Sequence, residues 1–233
     1  MPIRNIGLFS IAIIISAIIL GIFFYVGRKP EHTIKVTGYA TKGFESDIVK
    51  WNLTITTSTP LTGISAGYKT LKNNLATLTT ALTNYGIDPN AITIQPPSVN
   101  PLWDGGRQVG FSIRQSLTVI SQNIAKIESL ARSPDFIFEK EILLENSYLE
   151  YNYTRMEELK KELLALATQD AIKRAQEIAK SANARLGKIV SARQGVFQIT
   201  EPYSTEVSDY GIFSTTTRNK EIKVTVSASF VIR

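Results

Sequence analysis

The chain has no cysteine and a single histidine, His32, among its 233 residues. Without cysteine there is no disulfide framework, no thiolate nucleophile, no Cys-bound zinc and no iron–sulfur cluster. One histidine excludes any His-pair metal site and leaves few routes to a histidine-based triad. Charge is missing from one place in particular: Ile6 to Val26, 21 residues, carries none. The mean hydropathy of +0.01 is owed to this segment, and the rest has the polarity of a soluble domain.

At 1.5 Å per residue the uncharged segment spans about 31 Å, close to the roughly 30 Å of a bilayer's hydrocarbon core. It reads as a transmembrane helix marked by Ile6, Ile13, Ile19 and Val26, with Arg4 before it and Arg28 and Lys29 after it. A cleaved signal peptide would have an apolar region of about 7–15 residues ending in small side chains. Here the run is longer and closes with Phe23, Phe24, Tyr25 and Val26, which favours a retained anchor. The basic residues at the two ends are nearly even in number. The short segment before the helix and the large domain after it are the arrangement of a signal anchor. The expected organisation is an anchor over residues 1–29 and an extracytoplasmic domain over 30–233, on the periplasmic side of a cytoplasmic membrane. The lipid bilayer is then a partner through residues 6–26.

Beyond Pro30, strand and helix signals alternate. Strands are expected at 33–41 and 47–58. Thr59-Pro60 resembles an N-cap followed by proline at the first helical position. Leu61, Ile64, Tyr68, Leu71, Leu75, Leu78, Leu82 and Tyr85 then recur at steps of three and four, and Gly86 is a stop signal. Such a stripe serves as a coiled-coil seam or as the contact line of a helix on a sheet. The flanking Thr, Asn, Ala and Gly favour the sheet. A further strand begins at Ile92, and Pro96, Pro97 and Pro101 mark an edge or a bulge. Asp104-Gly105-Gly106 signals a hairpin turn before a strand at 109–120. A short helix follows at 123–132, and 136–152 has strand character.

Thr154 and Glu157 match a capping box opening a long helix over 154–186. Its inward face is Leu159, Leu163, Ala167, Ala171, Ala175, Ile178, Ala182 and Leu186, with Gly187 as its stop. Glu157–Lys161 and Asp170–Arg174 are acid-first pairs at i,i+4 on the outer face. Strands are expected at 188–201 and 220–232. The order strand, long helix, strand, turn, strand thus occurs at 47–120 and again at 137–232. The predicted fold class is α+β, a largely antiparallel sheet packed by two long helices. No Gly/Ser linker divides residues 30–233.

Several of these segments together resemble the SIMPL domain (DUF541). They are Ile34-Lys-Val-Thr-Gly-Tyr-Ala followed by Asp47, the helix end Gly86-Ile87 leading to Ile92-Thr93, and Pro101-Leu-Trp with Val109-Gly110-Phe111. The alanine ladder Ala167, Ala171, Ala175, Ala179 running into Leu186-Gly187-Lys188-Ile189 and the closing strand from Ile222 complete the set. The resemblance covers nearly all of 33–232 in order. It implies a bacterial envelope protein, periplasmic or surface-associated, linked to stress tolerance, with some members assembling into oligomers. It carries no catalytic motif. The chain departs from the pattern at Tyr39, where a second glycine is common, and in its retained apolar N-terminus.

No catalytic, cofactor-binding or metal-ligating residue is assigned. His32 beside Glu31 reads as a solvated linker residue. Glu139 and Glu141, two apart, would share a strand face with Glu145 and Glu150 nearby, and a solvated face explains them better than a cation site. Asp104-Gly105-Gly106 lacks the lysine and helix of a phosphate loop. Asn52-Leu-Thr and Asn152-Tyr-Thr match glycosylation sequons that arise readily by chance. Bases and acids interleave, so no nucleic-acid partner is expected. Without Arg4, Arg28 and Lys29, 23 bases face 20 acids. The expected function is binding or self-assembly at a membrane, with the Leu61–Leu82 stripe as core or homo-oligomer contact. The alternatives are a membrane-tethered Ser/Lys hydrolase, which needs a buried lysine bonded to a serine, and a small-ligand or lipid carrier, which needs a sizeable apolar pocket.

Overall fold

A computed structural model describes the backbone of residues 3–27 and 32–233, and the side chains of residues 11, 13–25 and 32–233. The elements in order are α1 (Ile3–Gly27), β1 (Thr33–Glu45), β2 (Ile48–Pro60), α2 (Ile64–Asn84), a 3-10 turn (Pro89–Ala91), β3 (Ile92–Ile94), β4 (Ser98–Asp104) and β5 (Arg107–Ser121). They continue with α3 (Ile124–Arg132), α4 (Asp135–Phe138), β6 (Leu143–Asn152), α5 (Met156–Ser181), β7 (Leu186–Gln194), β8 (Gln198–Thr200), β9 (Ile212–Phe213) and β10 (Asn219–Ile232). The class is α+β, with two five-stranded sheets and long helices. In one sheet β5 lies between β2 and the successive strands β3 and β4. In the other β10 lies between β1 and the successive strands β7 and β8. The element order shared by 47–120 and 137–232 is not repeated in the pairing, because β6, which opens the second half, pairs with β2, and β1 takes the place beside β10.

The chain groups into two compact units. The first comprises residues 1–38, 167–194 and 226–233, and the second residues 39–166 and 195–225. In the second unit β2 alternates strictly, burying Val49, Trp51, Leu53 and Ile55 against Ile113, Leu117 and Val119 of β5. The Trp51 indole Nε1 donates to Ser147 Oγ at 2.9 Å, so the largest core side chain leaves no orphan donor. The opposite sheet face is polar, with hydroxyl pairs Thr54–Ser116 and Thr56–Ser112, both at 2.9 Å.

The α2 stripe behaves as a sheet contact over only part of its length. Leu71, Leu78 and Leu82 are fully buried and Leu75 packs partly against the same core. Leu61, Ile64, Tyr68 and Tyr85 are between 41% and 48% exposed. At its N-terminal end the residue facing the sheet is Gly67, so the large side chains beside it fall on the flanks. Thr59-Pro60 does not start the helix. Pro60 is still strand, opposite Gly110, and Gly63 is the N-cap. The reason is local: Gly63 N–H donates to Pro60 O and the Thr59 hydroxyl to Gly63 O, closing a tight turn first.

The expected stop at Gly86 is a Schellman motif. Gly86 has φ +74° and donates to Thr83 O, while Ile87 donates to Leu82 O. Gly86→Ala should lower the unfolding free energy by about 1 kcal/mol, read from the urea midpoint, because the alanine must hold a left-handed backbone.

Two further expectations need correction. Residues 136–152 are not one strand: Asp135–Phe138 is a helical turn, Glu141 has φ +57°, and β6 begins at Leu143. Phe136 and Ile137 enter the core from that turn, which satisfies the same hydrophobic pattern without a strand. α5 runs from Met156 to Ser181 rather than 154–186. Asn183, at φ +53°, ends it in a second Schellman motif, with Ala184 N–H donating to Ala179 O. Asparagine here has the role expected of Gly187, which instead lies in β7. The strand expected over 188–201 is two, β7 and β8.

In the first unit Ala171 and Ala175 pack with Val36, Ala228 and Phe230. Of the expected α5 face, Leu159, Leu163, Ala167, Ala171 and Ala175 are buried; Ala179 replaces Ile178, which is exposed, and Ala182 and Leu186 lie beyond the helix. A Cβ on Gly38 would lie 2.3 Å from both Ala167 O and Ala171 N, so β1 meets the alanine ladder backbone to backbone.

α1 is a continuous helix. Its described side chains, Ile13 and Ile19 among them, are exposed, whereas Arg4, Ile6, Val26, Arg28 and Lys29 lie outside the described side chains. Among the described residues no helix is long and apolar enough to cross a membrane.

Candidate functional site

The second unit holds an open cleft of about 640 Å³ between the β1–β2 turn and the start of α5. The two loops are locked by Asp47, whose carboxylate accepts from Thr154 N–H at 2.8 Å and from the Thr154 hydroxyl at 2.6 Å. Thr154 therefore donates to a neighbouring turn, which is a different use from the capping box expected of it. Lys42 pairs with Glu162 at 2.6 Å across the cleft. The Phe44 and Tyr153 rings meet at 5.1 Å, and the Arg155 guanidinium lies 5.6 Å from the Tyr153 ring centre. The lining thus combines two bases, four acids and an aromatic pair, with Lys42 and Glu162 paired across it.

Behind the β1–β2 turn lies a buried polar group of residues. Ser46 N–H donates to Arg218 O, and Asp47 N–H to Asn152 O. Arg218 pairs with Glu45 at 2.5 Å. Ser46 Oγ, Asn152 Nδ2, Thr200 Oγ1 and Arg218 Nε are buried without a partner among the described residues. Lys220 is 3% exposed and its amine donates to the Tyr151 carbonyl. Burial pushes its pKa down to about 8, and the Glu201 carboxylate opposes the shift. Burial, followed by the hydrogen bond to Glu128, pushes the Tyr151 phenol up to about 12. Glu201 accepts from the Thr216 and Ser214 hydroxyls, which hold its carboxyl below the usual range.

Lys220 is the buried lysine that a Ser/Lys hydrolase would need, but its hydrogen bond goes to a backbone carbonyl and not to a serine hydroxyl. The sequence singled out no signal for it, since its burial follows from long-range pairing. His32 is exposed at the start of β1, and its carbonyl accepts from Ile232 N–H. Glu139 and Glu141 are not on a strand, and Glu145 pairs with Arg114 at 3.0 Å. Among the described residues no three acidic or histidine side chains converge as metal ligands. Gly105-Gly106 is the two-residue turn of the β4–β5 hairpin, with both glycines at positive φ, and Asp104 ends β4 opposite Arg107.

Charge divides unevenly. The second unit has 15 Lys and Arg against 17 Asp and Glu, and the first has 11 against 3, so the whole excess of +6 belongs to the first unit.

No curated protein matches the chain significantly. The SIMPL family model, described as "Protein of unknown function (DUF541)", matches residues 34–232. That span runs from the second residue of β1 to the end of β10, and takes in both the alanine-packed and the leucine-packed helices. The chain belongs to the SIMPL family.

Proposed function

We propose that the chain is a membrane-anchored envelope protein that acts by binding or self-assembly and not by catalysis. Ile6–Val26 would hold it in the cytoplasmic membrane as a single-pass anchor, with the domain on the extracytoplasmic side. The uncharged sequence, the continuous α1 backbone and its exposed apolar side chains support this reading. The role in envelope stress tolerance that the family resemblance implies belongs to the same proposal.

The observation that carries self-assembly is the exposed end of the α2 stripe. Ile64 and Tyr68 lie in solvent on the same helix whose Leu71–Leu82 half is core, and Leu61 is exposed in the turn just before it. The β4–β5 hairpin adds Val99, Trp103 and Val109, at 48%, 63% and 48% exposure. Large aromatic and aliphatic side chains exposed on ordered elements are typical interface anchors. The full-length protein in detergent should scatter light as an oligomer, and Leu61→Glu/Ile64→Glu should shift it to monomer while leaving the urea midpoint within about 0.5 M. A monomeric wild type would end the self-assembly reading.

A further inference from the structure

Four of the first unit's eleven bases share one sheet face. α5 covers the face that carries Val36, Ala228 and Phe230. Thr37 and Ser227 share a hydroxyl hydrogen bond of 3.1 Å, which places both on the opposite, open face. Alternation along β1 puts Lys35 there with Thr37. Cross-strand pairing of Arg193 with Ser227 puts Arg193 there too. Arg185 and Arg233 exchange both backbone hydrogen bonds, at 2.6 and 3.0 Å, so their side chains project side by side. Period-two spacing from Ser227 carries Arg233 onto the same open face. Lys35, Arg185, Arg193 and Arg233 are all exposed, and none makes an ion pair among the described residues. Within the first unit no acid occupies an alternating position of this face; along the same strands Glu45 and Glu221 come only in the second unit.

Two arginines directly opposite one another repel, and a face of four cations with interspersed hydroxyls is costly unless an anion meets it. The position of the face indicates which anion. Only residues 28–32 separate α1 from β1. Six Cα–Cα steps reach at most about 20 Å. If α1 is anchored in a bilayer, Thr33 cannot leave the vicinity of its surface, and Lys35 and Arg233 lie at that end of the sheet.

We propose that this open face binds the anionic phospholipid headgroups of the membrane that holds α1. The inference rests on the anchor reading above. Phosphate oxygens would accept from the paired arginines in the fork geometry that guanidinium favours. Each cation near an anionic surface strengthens attachment roughly fivefold, so four together bias the domain strongly toward the lying state.

The absence of cysteine makes the test direct. Full-length protein carrying Ser191→Cys with a donor dye is placed in nanodiscs whose lipids carry an acceptor. Energy transfer should report at least about a tenfold higher ratio of lying to free domain in discs containing phosphatidylglycerol than in pure phosphatidylcholine. The contrast should fall to about one with Arg185→Glu/Arg193→Glu/Arg233→Glu and persist with lysine at the same three positions. Equal transfer in both lipids, or contrast that survives charge reversal in a folded variant, overturns the proposal. Release of the wild-type chain from vesicles by a high-salt wash overturns the anchor instead, and this inference with it.

Discussion

Gly38→Ala should destabilise the protein by about 3 kcal/mol or more, out of proportion to one added methyl group. The new Cβ would sit 2.3 Å from Ala167 O and Ala171 N and 2.7 Å from Ala171 Cα. These are backbone atoms of a continuous helix, so no rotamer change relieves the overlap and β1 must separate from α5. Ala171→Gly should fail to rescue it, since the Ala171 methyl is not the obstacle. Gly43→Ala is the control in the same strand, because the nearest atom there is 3.9 Å away. In urea the Gly38→Ala midpoint should fall by about 1–2 M while that of Gly43→Ala stays near wild type. A Gly38→Ala midpoint within about 0.3 M of wild type would show that the close approach is not structural.

Lys220→Met should stabilise the protein near neutral pH and remove a characteristic rise in stability with pH. The unfolded chain keeps the Lys220 proton up to about 10.5, whereas burial makes the folded protein release it near 8. Below pH 8 both states are charged, and the folded state bears the whole desolvation cost. Between the two values the unfolded state holds more protons, so stability rises with pH by up to roughly 3 kcal/mol. Methionine eliminates the buried charge but leaves the Tyr151 carbonyl without its donor, a loss of about 1 kcal/mol. The expected net gain at pH 7 is about 1–2 kcal/mol, shrinking toward zero by pH 9.5. Measurements belong below pH 10, since Tyr151, raised to about 12, reverses the slope above it. Urea midpoints at pH 7, 8.5 and 9.5 decide the matter: an identical pH slope in wild type and variant would mean that Lys220 titrates normally.

These two residues mark where the sequence was legible and where it was not. The alanine spacing at 167, 171, 175 and 179 announces a helix face built for close approach, and the structure buries all four. Which residue it approaches was not readable, because Gly38 lies more than a hundred positions away in the chain. Lys220 sits in an alternating strand like many surface lysines, and only the convergence of β6 and β10 removes it from water. The cleft beside Asp47 is hidden for the same reason: Asp47 meets Thr154 across 107 positions, so a local capping box was the natural but incorrect reading of Thr154. The α2 stripe was read correctly as a period and incompletely as a contact. Periodicity reports that one face is apolar, and the length of sheet beneath it decides how much of that face is covered.

The sequence by itself determined the elements whose causes are local: the α+β class, the two long helices, the Gly86 stop, the Gly105-Gly106 hairpin and the family. Propensity, capping and turn chemistry act over a few residues and can be read there. Tertiary structure decided everything that depends on distant segments meeting. It exposed Leu61, Ile64 and Tyr68, buried Lys220, and set Lys35, Arg185, Arg193 and Arg233 on one sheet face. The net charge of the domain, nearly balanced as a sum, therefore concealed a basic face and an acidic remainder, because pairing of β1, β7 and β10 sorts side chains by strand face and not by position in the chain.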